Sequence, residues 1–512
     1  MNMVLSYKCA TQRKLNSYSK VWFIKIEMKY FTMKKKILFL LLISFLFLQK
    51  NFSQDTTNIT GPLSLKECVE IALKNNLQVN TSELLMEDSR VNLSLARGYQ
   101  LPFVSGNINH GVSRGKSIDP YTNSYVDQSL SFADYNVNAN YYLWNAGSMR
   151  NNIRANSLSY DASKMDLQQQ KDNTTIAVIL AYLQVLNNLE QLNAAQQQVE
   201  VTRKQVERNE ILNKSGALKY PSDLYDLKGQ LGNDELNVVN IKNTLETSKV
   251  NLSQLMNVPY SSSMELEKIN TEAELSVYNG NAQMIYQQAL ENLAMIKAVD
   301  LRQESALKAV KSAKGQLYPS LVFNGNLATN YSNTASVQNF VSSTDAPTDS
   351  YVLLNSNKVP VYSPQAVYEQ QKISYGNQWK NNFNSSFSIG LQIPILNGLT
   401  SRSNLNRAKI DVKRSAINAK STKTQLQQAV EQAYVNMSSA FQRYQTLTQQ
   451  VKDFAESFRI AEVRFNAGDL TSVDYLIVKR SVDNANINLI SAKYDYILRT
   501  KILDFYQGRL TF

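Results

Sequence analysis

Few side chains in this sequence of 512 residues could carry out enzyme or metal chemistry. Histidine occurs once, as His110, and cysteine occurs twice, as Cys9 and Cys68. Zinc, haem and di-iron sites built from His and Cys need several such ligands, and a Ser-His-Asp or Cys-His relay needs its histidine beside the nucleophile. The sequence therefore predicts no catalytic site, no metal site and no cofactor, and the protein is expected not to be an enzyme.

Aspartates beside glycine-containing turns are the acidic residues with a recognisable pattern. Thr471-Ser472-Val473-Asp474 follows the Gly468-Asp469-Leu470 turn, and Ser222-Asp223 follows the turn at Gly216. Both segments have the pattern of a helix cap, in which Ser, Thr and Asp oxygens accept hydrogen bonds from free backbone amides. Capping alone is therefore one interpretation of Asp474 and Asp223, and a functional role is the other.

The basic charge of the chain is concentrated at its front. The formal net charge is +12, but residues 1–53 hold ten of the 54 basic residues and one of the 42 acidic residues. The remainder carries 44 basic and 41 acidic side chains, which is close to neutral. Nucleic-acid binding needs a dense cationic surface, so this class of function is excluded.

The front of the chain has the features of a secretion signal. Lys34-Lys35-Lys36 precedes an apolar run over 37–48, whose length of about 18 Å as a helix is too short to span a bilayer. Residues 33–53 are predicted to be a signal peptide cleaved between Ser53 and Gln54, and 1–32 to be a mis-start extension. An unusually long positive segment and a retained signal anchor are the alternatives. No cysteine stands at the cleavage point, so no lipid anchor is expected there.

The body of the chain repeats one plan twice. Ala96-x-Gly98-x-x-x-Pro102 returns 217 residues later, and LWNAGSMR at 143–150 is answered by ILNGLTSR 252 residues later. The predicted units are a first repeat over 54–256, an equatorial connector over 257–280, a second repeat over 281–508 and a tail over 509–512. The second repeat has the longer loop, between its two strands.

Each repeat switches between helical and strand periodicity. Helices are predicted over 63–99 and 281–317, and strands with alternating apolar and uncharged polar residues over 103–108, 133–143, 320–331 and 383–393. The strands flank predicted loops over 109–132 and 332–382, the first of which contains His110. Long helices are predicted over 147–214 and 399–466, with shorter ones over 222–256 and 472–507. Each long helix would reach about 100 Å, which matches the two short helices of its repeat placed end to end.

Four membrane strands cannot close a barrel by themselves. Open strand edges are not tolerated in lipid, and the smallest barrels have eight strands. Several chains must therefore share one barrel, and three chains would supply twelve strands around a water-filled pore. The expected fold is mainly helical with transmembrane strands: a trimeric twelve-stranded β-barrel, continued by a long helical barrel.

On these features the chain resembles the TolC-type outer-membrane efflux proteins over roughly residues 63–508. The resemblance rests on the doubled plan, on Pro394-Ile395-Leu396-Asn397-Gly398 after the last strand, and on the turn RFNAGDLTSVDYL at 464–476. It implies a homotrimeric exit duct in the outer membrane of a Gram-negative bacterium, with its helical barrel in the periplasm. The implied partners are a periplasmic adaptor and an inner-membrane RND or ABC transporter, and the duct would serve tripartite efflux or type I secretion.

The resemblance also implies positions for the duct's entrance. Asp474 matches an aspartate that lines the periplasmic constriction in the family, and Asp223 matches a tip aspartate of the first repeat. Asp469 is a further gate candidate, because the family's usual latch positions hold Ile477 and Leu470 here. The hairpin tips turn at Gly216 and Gly468, and Pro394, Asn397 and Gly398 form the strand-to-helix motif.

Two rival functions remain open on the sequence alone. A trimeric coiled-coil surface adhesin shares the signal peptide, the long helices and a shared barrel, but its strands lie at one end of the chain. A soluble secreted enzyme conflicts with the scarcity of His and Cys and with helices of this length.

Overall fold

The structure, a computed structural model, describes residues 61–118, 123–127, 129–269, 275–355 and 357–509. The predicted extension over 1–32 and signal peptide over 33–53 lie outside the described residues. The described helices and strands, in chain order, are α1 Leu65–Asn75, α2 Leu77–Gly98, β1 Phe103–Ser113, β2 Lys116–Ile118, β3 Tyr125–Asp127, β4 Leu130–Trp144, α3 Ser148–Lys214, α4 Ser222–Met256, α5 Ala282–Asn292, α6 Ala294–Gly315, β5 Ser320–Ser332, β6 Ser336–Leu354, β7 Asn357–Lys372, α7 Tyr375–Asn381, β8 Asn384–Gln392, α8 Thr400–Asn466 and α9 Ser472–Tyr506.

Two strands from each repeat form one antiparallel sheet in the order β1-β4-β5-β8. The central pair joins the repeats, with Asn138 of β4 opposite Asn326 of β5. All four predicted strands are present, and β1 and β4 extend beyond their predicted ends. Strands β1 and β8 each have one unpaired edge within the described part of the chain.

The two long helices have equal length, as the repeat predicts. Helices α3 and α8 each contain 67 residues, so each reaches about 100 Å. In each repeat two short helices meet end to end alongside the long one. Asn76 Nδ2 donates to the carbonyl of Leu255 (3.3 Å) at the first junction, and Asn292 Nδ2 donates to the carbonyl of Gln507 (3.0 Å) at the second.

The helices predicted as single elements over 63–99 and 281–317 are each broken in two. Asn76 and Leu293 both leave the helical region, with ψ values of 123° and 131°. The Asn76 side chain accepts hydrogen bonds from the amides of Gln78 and Val79, so it caps the second helix of the pair. The shorter helix of each pair, α1 or α5, buries its apolar residues in one of the core clusters.

The predicted loop over 332–382 is an ordered structure instead. It contains the paired strands β6 and β7 and the short helix α7, which begins with Ser374 as its cap. In the loop predicted over 109–132, strand β1 continues to Ser113 and the short strands β2 and β3 pair. His110 therefore lies within β1, opposite Ala133, and is not a loop residue.

The connector packs at the middle of the helices. Leu63 pairs with Leu266 in a short parallel bridge, and the Tyr182 hydroxyl donates to the carbonyls of Leu63 (3.0 Å) and Glu267 (2.7 Å). The Tyr496 hydroxyl of α9 donates to the carbonyl of Ser276 (2.5 Å). Among the described residues, no helix combines the length and the apolar character needed to cross a membrane.

Candidate channel wall and entrance

One face of the four-stranded sheet carries a ladder of asparagine side chains. Asn107 and Asn138 both donate to the Oδ1 atom of Asn136 (3.0 and 2.9 Å), and Asn326 donates to Asn138 Oδ1 (2.7 Å). Asp134 is the one charged side chain in these four described strands, and it lies on the same face because it alternates with Asn136 and Asn138 along β4. This face is suited to contact water and polar solutes.

The opposite face is apolar and largely exposed. On the edge strand β8, Phe387 and Ile389 have 67% and 65% of their surface exposed, and Phe387 stacks on Phe323 of β5. A sheet with one apolar exposed face and one polar face fits a barrel wall between lipid and a wet pore. Helix α7 covers part of the apolar face, where Trp379 contacts Tyr135 edge to face at 4.7 Å.

The strand-to-helix motif is a tight turn with two left-handed residues. Gly398 and Leu399 both have φ of 62°, and in the first repeat Ala146 and Gly147 have φ of 50° and 74°. Asn397 supports the turn, because its Nδ2 atom donates to the Ser401 hydroxyl (2.6 Å). Pro394 stands between β8 and this turn and is exposed. The motif therefore acts in backbone geometry at the junction of sheet and helix.

The two hairpin tips have the same backbone. Gly216 and Gly468 have φ of 72° and 76°, in the left-handed region that glycine adopts without strain. The ends of α3 and α8 make equivalent backbone hydrogen bonds. The Ala217 amide donates to the carbonyl of Leu212 (2.9 Å) at the first tip, and the Asp469 amide donates to the carbonyl of Arg464 (2.9 Å) at the second. These bonds satisfy carbonyls that the helix end leaves free.

Asp474 is exposed in the first turn of α9 and takes part in its cap. The Thr471 hydroxyl accepts from the Asp474 amide (3.2 Å) and donates to the Asp474 carboxylate (2.8 Å). Asp469 accepts from Arg464 Nε (3.3 Å), and both belong to the same turn. With 53% of the Arg464 side chain and 74% of the Asp469 side chain exposed, their ion pair contributes little to stability.

Asp223 lies in a different environment from its counterpart. It is 8% exposed in the first turn of α4, whereas the prediction placed both aspartates in capping patterns. The residue in the capping position of α4 is Pro221, which makes no side-chain cap. Asp223 and Asp474 therefore differ in their burial and in their part in the helix cap.

Polar contacts join the two hairpin tips within the chain. Ser472 donates to the Asp226 carboxylate (2.9 Å), so the first residue of α9 is bound to α4. Arg208 of α3 donates to the carbonyl of Asn466 (2.9 Å), at the end of α8. The first hairpin therefore directs side chains onto the turn of the second.

A buried ionic network lies further along the same hairpins, and no sequence pattern predicts it. Lys479 of α9 is 1% exposed, and its Nζ atom contacts Asp234 of α4 (3.3 Å) and Asp483 of α9 (3.0 Å). Asp234 also accepts from the Thr202 hydroxyl of α3 (2.5 Å). Burial raises the pKa of the Asp483 carboxyl, a shift that the charge of Asp234 reinforces and that of Lys479 opposes. The residues are too distant in sequence for spacing to reveal them: 245 positions separate Lys479 from Asp234.

No group of three or more His, Cys, Asp and Glu residues in the described ranges is arranged to hold a metal ion. The one described cysteine, Cys68, is fully buried in the central core. The site thus consists of a polar sheet face, a strand-to-helix turn and two joined hairpin tips.

Comparison with known proteins identifies relatives of this arrangement. The sequence model of a family described as outer membrane efflux protein matches residues 68–258 and 285–508. A search of curated proteins finds no significant match.

Several solved structures have the same fold at low identity. The outer membrane protein VceC from Vibrio cholerae is 14% identical with a TM-score of 0.68, over 87% of this chain and 96% of that one. The CmeC outer membrane channel of Campylobacter jejuni is 17% identical with a TM-score of 0.65, over 87% and 85%. The open MtrE outer membrane channel of Neisseria gonorrhoeae is 16% identical with a TM-score of 0.64, over 87% and 88%. These likenesses confirm the expected fold class.

Proposed function

The chain belongs to the outer membrane efflux protein family, and from that premise we propose that three copies of it form one exit duct. Members of this family are outer-membrane exit channels of tripartite efflux systems, so the function expected from the resemblance is confirmed and the adhesin alternative is not supported. The family is one of non-enzymatic transport ducts, and we propose that this chain likewise acts as a duct and not as an enzyme.

The homotrimer is inferred from a close contact between helices of the two repeats. The described part of the chain makes this contact once, and the repeat-equivalent position on the other pair of helices has no partner within it. Helix α6 of the second repeat packs closely on α3 of the first: Ser312 donates to the carbonyl of Ser148 (2.9 Å), and their hydroxyl oxygens are 3.3 Å apart. A Cβ atom on Gly315 would approach Ser148 within 2.9 Å. Around the counterpart Gly98, at the end of α2, no described atom apart from its chain neighbours and its own helix backbone lies within 4 Å of such a Cβ.

The repeat offsets indicate what fills this empty position. Subtracting 217 from Ser312 gives Leu95 on α2, and adding 252 to Ser148 gives Thr400 on α8. These two helices do not pack together within the described chain. In a ring built from alternating equivalent contacts, Leu95 of one protomer would therefore meet Thr400 of the next.

The chemistry of the two free faces is complementary. Within the chain, Ser305 donates to the carbonyl of Ala155. The same two repeat offsets convert this pair into Asp88 and Arg407, which have opposite charges and would face each other between protomers. Large apolar side chains are also exposed on both faces: Leu84, Leu85, Val91 and Leu95 on α2, and Ile410 and Ile417 on α8. Burying them against a second copy would remove apolar surface from water, which is a main driving force of association.

The location and the partners of the duct are inferred from the family and the sequence. The mature chain would begin at Gln54 without a lipid, its sheet in the outer membrane and its helices in the periplasm. It would receive cargo from an inner-membrane RND or ABC transporter through a periplasmic adaptor. The asparagine ladder supports a wall that carries polar solutes without a binding pocket, so the choice of cargo would belong to the transporter.

We also propose that the tips of α8 and α9 narrow the periplasmic entrance. Three exposed copies of Asp474 around a threefold axis would form an anionic ring that attracts cations. Asp469 lies in the adjoining turn and its pair with Arg464 would hold that turn in shape. Asp223, which is buried, would not face the passage.

A disulfide experiment tests the homotrimer. In the mature protein we would combine Leu95→Cys with Thr400→Cys and oxidise the membranes. We expect covalent dimers and trimers, since these positions would lie as close between protomers as Ser312 and Ser148 lie within one. Neither single variant should form them.

The matched control is Ser148→Cys combined with Ser312→Cys. This pair should form a disulfide inside one chain and leave the covalent species monomeric. Covalent oligomers from the control pair, or none from Leu95→Cys with Thr400→Cys while the control oxidises, would contradict the proposed ring.

A further inference from the structure

Among the described residues, the hairpin formed by β6 and β7 packs almost entirely on itself. Its strands contain 19 and 16 residues and pair from Ser336 with Lys372 at the base to Leu354 with Asn357 at the tip. The ribbon is therefore about 60 Å long. Within the described residues, β6 and β7 contact each other and make at most marginal contact with other elements.

Both faces of this ribbon expose large apolar side chains. Paired residues of antiparallel strands share a face, so Val352 and Val359 lie on one face and Tyr351 and Pro360 on the other. The exposed large apolar residues are Val337, Phe340, Val341, Tyr351, Val352, Leu353, Leu354, Val359, Val361, Tyr362, Val367 and Tyr368. A two-stranded ribbon in water is marginally stable at best, and its open edges invite further pairing.

We propose that the β6–β7 hairpins of the three protomers pack against one another and form a collar on the outer side of the barrel. This inference rests on the proposed homotrimer. The hairpin lies between β5 and β8, and β8 is the strand whose free edge must pair with a neighbouring copy. The assembly that closes the barrel therefore also brings the three hairpins together.

The charges of the hairpin favour a second copy as its partner. Between Ser336 and Lys372 it carries three acidic and two basic side chains, namely Asp345, Asp349, Glu369, Lys358 and Lys372. Copies would therefore repel each other only weakly, whereas a strongly charged partner would find little to bind.

The same ribbon is poorly suited to insertion into lipid. An open two-stranded ribbon leaves a row of backbone groups unpaired along each edge, which the hydrocarbon region does not tolerate. Polar side chains also face both sides: Gln338 shares a face with Gln370, and Asn339 donates to Gln371 (2.7 Å). Association between copies covers the apolar side chains and can satisfy the edges at once.

Cross-linking at the hairpin tip tests the collar. Leu353→Cys in the mature protein, treated with a short bis-maleimide in membranes, should give covalent dimers. The only other described cysteine, Cys68, is buried and will not react. The control is Tyr125→Cys, at the first residue of β3 in the short β2–β3 hairpin and 82% exposed, which should react with a single maleimide but give no dimers.

A second variant tests whether the collar stabilises the trimer. Replacing residues 337–371 by a two-residue turn joins the paired Ser336 and Lys372 directly. The shortened trimer should dissociate at a lower temperature on unheated gels, with its channel conductance retained. Where the shortened chain fails to assemble, Val352→Asn with Leu353→Asn, which keeps the ribbon, should lower the dissociation temperature in the same way.

The outcomes separate this inference from the proposed function. A native trimer that conducts but gives no tip dimers, and dissociates at the same temperature with and without the hairpin, overturns the collar alone. Tip cysteines that react only with lipid-anchored probes in membranes also overturn it, in favour of a membrane contact. A native chain that is monomeric overturns the homotrimer itself.

Discussion

The two helical hairpins have the same length and the same turn, yet their tips are stabilised differently. At the second tip, Thr471 caps α9 together with Asp474, and Arg464 holds Asp469, so the turn is supported by its own residues. At the first tip, α4 begins after Pro221 without a side-chain cap. Internal repetition has kept the backbone and let the side chains diverge.

The contacts between the hairpins follow the same division. Asp226 and Arg208 of the first hairpin bind the second at its turn, and Asp234 of the first binds Lys479 of the second in the interior. The first hairpin thus stabilises the position of the second, and the second hairpin carries the exposed Asp474. Four predictions test this comparison, in order of decreasing effect.

The largest effect is expected from Lys479→Ala. Removing this buried ammonium leaves Asp234 and Asp483 facing each other without a cation, and breaking a buried ion pair on one side costs about 3–5 kcal/mol. Urea unfolding followed by helical circular dichroism measures the loss. Lys493→Ala is the control: its partner is Glu190, it is 21% exposed, and it should cost about 1 kcal/mol or less. Equal losses of stability in the two variants would contradict the larger contribution expected of Lys479.

The two tip glycines should respond equally, because their backbones agree. Gly216→Ala and Gly468→Ala each place a Cβ atom on a left-handed residue, at a cost of about 1–2 kcal/mol. Thermal unfolding of each variant gives the comparison. Gly229→Ala, within α4 and in open space, should instead be neutral or stabilise by about 0.5–1 kcal/mol. A tolerated substitution at one tip alone would mean that the two turns differ.

Asp483→Asn should have a small effect on stability that depends on pH. Because burial raises the pKa of Asp483 in the folded protein, the folded state binds more protons than the unfolded state above the ordinary Asp pKa. The carboxyl's contribution to stability is therefore present at low pH and lost as pH rises through the raised pKa. The free energy of unfolding of the variant, compared with that of the native protein, should therefore rise by about 0.5 kcal/mol from acidic to neutral pH. A gain at acidic pH instead would reverse the sign and contradict this explanation.

Asp474→Asn should leave stability almost unchanged and alter the current. An amide oxygen can still accept from Thr471, so the cap is kept while the charge is removed. In single-channel recordings the block by multivalent cations should weaken severalfold, and Asp474→Ala should weaken it as well. Asp223→Asn, at the buried counterpart, should leave the block unchanged. Unaltered block in both Asp474 variants would leave this residue as a helix cap.

Local pattern predicted the helices well and the packing between them poorly. The bounds of α3, α4, α8 and α9 follow from periodicity and from glycine turns, which are local signals. The break at Asn76 had a local signal too, in its capping asparagine, whereas Leu293 has no side-chain cap and only the repeat offset of 217 points to it. The β6–β7 hairpin was predicted as a loop, although its Val, Tyr and Thr residues are typical of strands.

The candidate site was predictable where a motif acts through the backbone. Gly216, Gly468 and the turn at Asn397 and Gly398 stand in the sequence at equivalent places of both repeats. The network around Lys479 had no such signal, because it joins α3, α4 and α9 through contacts that only the folded hairpins create. The environment of Asp223 also depends on that packing, so the sequence could not separate it from Asp474.

Single-channel conductance of the purified mature protein, from Gln54, in a planar bilayer tests the proposed duct most directly. We expect a trimeric species with discrete, long-lived openings that multivalent cations block from one side. A protein that purifies as a folded trimer but never inserts into the bilayer or conducts would contradict the shared barrel and the proposed duct.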